Sequence, residues 1–275
     1  MKKIKRTVKR ILQIPYTKED HDEVLLHRLR AVGPFTSIVK KDNEVSLLYK
    51  DSYPLFARLW PHSDAMVLEQ VMVNEEYKAV TDFYKDNFPG ESKLRIIDAG
   101  ANVGYSSVFF LNEFPAATIA CVEPDSKNVG MLQKNLAPYI NSGQAKIFQN
   151  GLMSHDNKNI VTTKDFRDGK DWSVTVEESQ TESDLKSITV EGIRNQMGWD
   201  EIDVLKIDIE GAERFVFDDS ANLDYLQKVK TLAIEIHDEF DIRDTIYKQM
   251  KKYDFVIFNF AQTTFGISKR LLNAK

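Results

Sequence analysis

Between residues 94 and 268, short apolar runs alternate with stretches of helical spacing. Leu94–Ile97, Ala117–Val122, Ala145–Phe148, Asp203–Ile209, Thr231–Ile236, Phe255–Phe260 and Thr264–Ser268 are each short, mostly apolar and rich in β-formers, as buried strands are. Helical patterns fall between them, at about Val103–Asn112, from Asp125 to Leu136, at Ala212–Leu226 and at Thr245–Tyr253. This alternation predicts an α/β fold: a doubly wound, mostly parallel sheet of seven strands. Ligands of such sheets sit beyond the carboxyl ends of the strands, where the winding reverses.

Upstream the pattern is different. Val24, Leu25, Leu26 and Leu29 predict an amphipathic helix over Lys18–Arg30, stopped by Gly33-Pro34. Ser37–Lys41 and Val45–Lys50 flank Asp42-Asn43-Glu44 as a hairpin, and Asp64 stands as the cap of a helix carrying Met66, Val67, Val71 and Met72. Residues 1–63 therefore read as an accessory α+β segment and 64–275 as the main domain. A polar insertion from Ser154 to Val190, with strand-like pieces at Asn159–Thr163 and Trp172–Val176, exceeds ordinary connection lengths and reads as a cover or substrate loop.

Composition narrows the function. Lys plus Arg is 37 and Asp plus Glu 42, a formal charge of −5, which lacks the basic field of a nucleic-acid binder. The first ten residues hold six basic and no acidic side chains, leaving 31 basic against 42 acidic in the rest. That arm is either solvated or drawn to an anionic surface such as lipid headgroups. A lone cysteine, Cys121, excludes an internal disulfide and a cysteine-based zinc cluster. With no apolar run near the ~20 residues that span a bilayer and no signal-peptide core, the chain reads as soluble and cytoplasmic.

The chemistry concentrates at strand ends. Ile96-Ile97-Asp98-Ala99-Gly100-Ala101-Asn102-Val103-Gly104 is a strand ending on an acid, then a glycine turn feeding a helix. It is not the dinucleotide fingerprint, because Asn102 replaces the second glycine, and Asp98 suits a cationic ligand part such as an ammonium group. Glu123 ends the next strand, placed to accept hydrogen bonds from two ribose hydroxyls. With a side-chain period of two, Lys206, Asp208 and Glu210 project to one face, and Glu235 shares a face with His237. Lys206 and Glu235 could form a buried ion pair; Asp208 and His237 lie nearer the strand ends, where a site is expected. His237 is the natural general base near neutral pH, with Asp208 to orient it or act instead. Asp208, Glu210, Glu235 and His237 also form a candidate ligand set for Mg²⁺. Glu213 reads as a helix-capping acid.

Asp98–Gly104 resembles motif I of the S-adenosylmethionine-dependent methyltransferases, and its asparagine form is typical of the FkbM-type family. The segment Ile202-Asp203-Val204-Leu205-Lys206-Ile207-Asp208-Ile209-Glu210-Gly211-Ala212-Glu213 closely matches that family's hallmark. Asp64 and the pair Glu76-Tyr77 also fall where the family has an acid and a Glu-Tyr pair. The resemblance spans roughly residues 60–265. It implies a Rossmann-like class I methyltransferase domain, with S-adenosyl-L-methionine bound through Glu76, Tyr77, Asp98, Gly100, Asn102, Gly104, Glu123, Pro124 and Asp208. It further implies O-methylation of a small hydroxylated acceptor, often a sugar or glycosylated metabolite. Trp172 and Trp199 would suit a carbohydrate if they flank the pocket, and would equally serve as packing residues. One departure is Glu191, in Thr189-Val190-Glu191 where relatives carry Thr-Leu-Asp. A dehydrogenase would need glycine at 102 and no acid at 98, and a non-catalytic nucleotide-binding module would lose the charged strand ends. A nitrogen acceptor stays open as an alternative.

Overall fold

The computed structural model describes residues 18–163, 175–218, 221–260 and 262–272; the basic arm and Trp172 lie outside them. Two compact units divide between Asn74 and Glu75, so residues 64–74 group with the N-terminal unit.

In the first unit, helix α1 (Lys18–Val32) precedes an antiparallel sheet of β1 (Phe35–Lys41), β2 (Glu44–Tyr49) and β3 (Tyr53–Arg58). The hairpin falls at Asp42-Asn43, with Asp42 in the left-handed region at φ 51°. The third strand is hidden in the sequence by Pro54, which an edge strand tolerates because one row of its N–H groups has no ladder partner. Helix α2 (Asp64–Leu68) is not capped by Asp64. Ser63 occupies the cap position, and the buried Asp64 carboxylate is clasped by Arg58, whose guanidinium nitrogens donate at 2.7 and 2.9 Å.

The second unit opens with α3 (Lys78–Asn87) and is built on the strands β4 (Arg95–Ala99), β5 (Thr118–Val122), β6 (Ala145–Phe148), β7 (Gly151–Leu152), β8 (Ile160–Thr163), β9 (Thr175–Glu178), β10 (Ser187–Ile188), β11 (Ile202–Ile207), β12 (Val229–Glu235), β13 (Phe255–Phe260) and β14 (Thr263–Ser268). Seven of these form one sheet in the order β13-β14-β12-β11-β4-β5-β6, with β14 antiparallel to its two neighbours and every other pairing parallel. The expected α/β architecture is present, a Rossmann-like, mostly parallel seven-stranded sheet. From β4 the chain winds outward to β5 and β6, then returns to place β11 on the other side of β4. The switch point is therefore the crevice beyond the carboxyl ends of β4 and β11.

Helices α4 (Tyr105–Glu113), α5 (Ser126–Asn135), α6 (Ala137–Asn141), α7 (Val190–Met197), α8 (Glu213–Val216) and α9 (Arg243–Lys252) complete the unit. Ile97, Val122, Leu205, Ile207, Leu232 and Ile234 pack with Ile193, Phe217, Leu226 and Met250 in the main core, which also contains Trp199. Burying each such aliphatic side chain contributes roughly 1.5–3 kcal/mol. Trp199 is thus a packing residue.

Two expectations fail locally. Among the described residues, the expected helix over Ala212–Leu226 is the one-turn α8 followed by a 3₁₀ turn at Asp224–Lys228. Strand β11 stops at Ile207, not Ile209. In the polar insertion, β8 and β9 form an antiparallel pair and β10 pairs with β7. Among the described residues no helix is long and apolar enough to cross a membrane.

Candidate active site

Three residues of the first turn adopt left-handed backbone conformations: Gly100 (φ 76°), Asn102 (φ 49°) and Gly104 (φ 94°). Asparagine is among the few non-glycine residues that enter this region readily, which accounts for Asn102 standing where the dinucleotide fingerprint has a glycine. At Gly100 the backbone itself needs the space, since a Cβ there would lie 1.7 Å from the Asp208 carbonyl oxygen. The turn and the end of β11 therefore touch main chain to main chain.

Glu123, at the end of β5, is buried and holds the turn. Its Oε2 accepts the Asn102 N–H at 2.9 Å, and its Oε1 accepts the Asp125 N–H at 2.9 Å. Burial pushes its carboxyl up to about 7, against the lowering effect of these hydrogen bonds. Pro124 leads directly to Asp125, whose side chain accepts from the N–H groups of Lys127 and Asn128 and starts α5.

Asp98 differs from expectation. It is 0 % exposed, and the cation it neutralises belongs to the chain itself. Parallel register sets Lys206 of β11 beside Asp98 of β4, and the ammonium lies 3.2 Å from Oδ1. Ser106 and Ser107, in the first turn of α4, each donate to Oδ2 at 2.6 Å. Those serines had a sequence signal, two hydroxyls just past the glycine turn, that went unread. Lys206 also donates to the Gly100 carbonyl at 2.8 Å and lies 3.7 Å from Asp208. Its partners are Asp98 and Asp208, not Glu235. Burial opposes the Lys206 charge, but Asp98 and Asp208 outweigh it and hold the ammonium well above its ordinary range.

Beyond Ile207 the strand period no longer applies. The Asp208 N–H donates to the Ala99 carbonyl at 3.1 Å, and the chain then turns through Glu210 (φ 52°) and Gly211 (φ 87°). This turn brings Asp208 and Glu210 to His237, just past the end of β12. His237 is 1 % exposed, its Nδ1 3.1 Å from Glu213 Oε1 and its Nε2 3.4 Å from Glu210 Oε2. Burial disfavours a charged ring, but the hydrogen bonds of Glu210 and Glu213 prevail and raise His237 to about 11. This favours the protonated ring, the opposite of what the expected general base needs near neutral pH. Glu213, read as a cap, is wholly buried, and its Oε1 also accepts the Ile209 N–H at 3.0 Å.

Glu235 is partly exposed at the end of β12. Burial first, and then the negative field of Asp208, push its carboxyl up to about 8. Tyr77, buried, has its ring 5.8 Å from the Lys206 ammonium and feels the charges of Asp208, Glu76, Asp98 and Glu235. The switch point thus gathers Glu76, Tyr77, Asp98, Lys206, Asp208, Glu210, Glu235 and His237, with an excess of carboxylates. Among the described residues, three members of the expected metal set, Asp208, Glu210 and His237, bring donor atoms within reach of one ion, and Glu235 is not in that group. Glu191 joins none of this: it pairs with Arg194 at 2.7 Å and approaches Lys228 at 3.8 Å on α7. Trp199, for which a pocket role and a packing role were both open, lies in the core.

Residues 98–257, more than half of the chain, match the family described as Methyltransferase FkbM domain. The chain is 27 % identical over 212 residues to "Methyltransferase sdnD" of Sordaria araneosa, covering 66 % of this chain and 81 % of that protein. Among solved structures it is similar to a methyltransferase from Geobacter sulfurreducens, with TM-score 0.39, 12 % identity and coverage of 74 % and 88 % of the two chains. It is also similar to a precorrin-6y C5,15-methyltransferase from Geobacter metallireducens, with TM-score 0.38, 10 % identity and coverage of 68 % and 85 %. With its glycine-asparagine turn, its acid-rich switch point and more than half its length matched, the chain belongs to the FkbM methyltransferase family and is an S-adenosylmethionine-dependent methyltransferase.

Proposed function

We propose that the chain transfers a methyl group to a hydroxyl of a small molecule, a sugar or a glycosylated metabolite. The residues fit the cofactor by their chemistry. Glu76, Asp208, Glu210 and Glu235 give the switch point a negative field suited to a sulfonium and an ammonium, and Glu123 carries the carboxylate for a ribose. The turn at Gly100, Asn102 and Gly104 lets the main chain approach a ligand closely.

The observation that carries the hydroxyl reading is Glu235, a carboxylate at the carboxyl edge of β12 with no hydrogen bond or ion pair to another described residue. Bound at the switch point, S-adenosylmethionine would supply an electrophilic methyl carbon and a neutral thioether leaving group. An acceptor oxygen would form the new O–C bond as the C–S bond breaks, its proton passing to Glu235, whose carboxylate form grows as pH rises through about 8. Asp208 and Tyr77 position the reacting groups, since in-line displacement depends chiefly on alignment.

A panel of sugars, glycosides and matched amines, assayed with methyl-labelled cofactor, tests this. Methylation of hydroxyls, with turnover falling about 10²–10⁴-fold in Glu235→Gln while cofactor affinity holds, is the expected result. Methylation confined to the amines would overturn it, and full turnover in Glu235→Gln would remove the proton acceptor.

A further inference from the structure

We propose that Asp208, Glu210 and His237 form a binding site for one divalent transition-metal ion of the Mn²⁺ class. One donor atom from each lies within 4.8 Å of the others. Two ligand atoms on opposite sides of such an ion stand about 4.2 Å apart, so small side-chain adjustments close the site.

A second observation points the same way. Glu213, wholly buried, engages Nδ1 of His237 at 3.1 Å, which leaves Nε2 facing the Glu210 carboxylate at 3.4 Å. A carboxylate that fixes one ring nitrogen and aims the other at oxygen ligands is the support that metal-binding histidines receive from their surroundings. Glu213 is itself fixed, because the Ile209 N–H donates to the same Oε1 at 3.0 Å. The turn is equally constrained, since a Cβ at Gly211 would meet the Phe240 ring at 2.2 Å. The three ligands therefore sit on backbone that is held from both sides.

The donor set chooses the ion. An imidazole beside two carboxylates favours a first-row transition-metal ion, which takes nitrogen with oxygen, over Mg²⁺, which dehydrates reluctantly and prefers oxygen throughout. An ion here would supply Lewis acidity to an acceptor hydroxyl, and that role alone rests on the O-methylation reading. Glu235 lies outside the set.

Chelator-treated full-length protein titrated with Mn²⁺, with free ion followed by electron paramagnetic resonance, reads the site without any acceptor. One saturable ion per chain is expected, with nitrogen modulation from an imidazole in the pulsed spectrum. Glu210→Gln, which keeps the side chain's size and shape, and His237→Ala should each abolish saturation. Glu213→Gln should weaken binding about 10–100-fold, while Glu235→Gln keeps it. Circular dichroism of each variant separates loss of the site from loss of the fold. Absence of saturable binding in the wild type at millimolar Mn²⁺, or undiminished binding in Glu210→Gln, overturns the proposal. Ion binding without methylation of any hydroxyl would sustain the site and remove the O-methylation reading instead.

Discussion

The Asn102 N–H donates to Oε2 of Glu123 at 2.9 Å, so the left-handed residue of the first turn and the acid closing the second core strand form one structural unit. The cofactor turn is thus held by the same carboxylate that we assign to the ribose.

Glu123→Gln should therefore weaken S-adenosylmethionine binding by about 1–3 kcal/mol, as for a buried hydrogen-bond acceptor lost. The wild-type carboxyl is raised to about 7 by burial, and ribose hydroxyls donate to its charged form. Affinity should rise with pH through about 7 and level off above it, and Glu123→Gln should lose this dependence. Titration calorimetry across the neutral range measures both effects.

Asp98 and Lys206 test the buried pair. Removing one partner leaves an uncompensated charge in the sheet, so Lys206→Met should cost about 3–5 kcal/mol. Adding Asp98→Asn should restore part of that, because the two residues touch. Urea unfolding of the two single variants and the double variant gives the coupling; strict additivity would refute it.

Asp203, at the opposite end of β11, supports the fold in a pH-dependent way. Burial would raise its carboxyl, but hydrogen bonds from Arg95 and Lys230 prevail and hold it below the ordinary aspartate range. A depressed folded value means its stabilisation is complete above the unfolded pKa, about 3.9, and is lost as pH falls through the folded one. The stability gap between wild type and Asp203→Asn should be largest near neutrality and shrink in acid. A gap independent of pH would contradict the ion-pair reading.

Gly100 and Gly90 separate backbone conformation from close approach. Both have positive φ, 76° and 86°, yet a Cβ at Gly90 meets nothing within 4 Å while one at Gly100 meets the Asp208 carbonyl at 1.7 Å. Gly90→Ala should cost about 1–2 kcal/mol for the left-handed conformation alone. Gly100→Ala should cost clearly more and also abolish cofactor binding. Melting temperatures and calorimetry on the pair decide it.

The sequence by itself determined the sheet and the location of the chemistry. Apolar runs alternating with helical spacing specify a parallel sheet because each run must be buried on both faces, and the charged ends of two such runs can only be tolerated at an edge. The turn at Gly100 and the segment Lys206–Glu213 were legible for that reason. Pairings across the sheet were not. Lys206 meets Asp98 because β11 returns to the far side of β4, a crossover that no local pattern encodes. His237 reads as an ordinary titrating base until Glu210 and Glu213, from a turn 24 to 27 residues earlier, are brought against it. A side chain's charge state depends on the field and burial at its position, and both come from elements distant in the chain; tertiary structure alone supplies them.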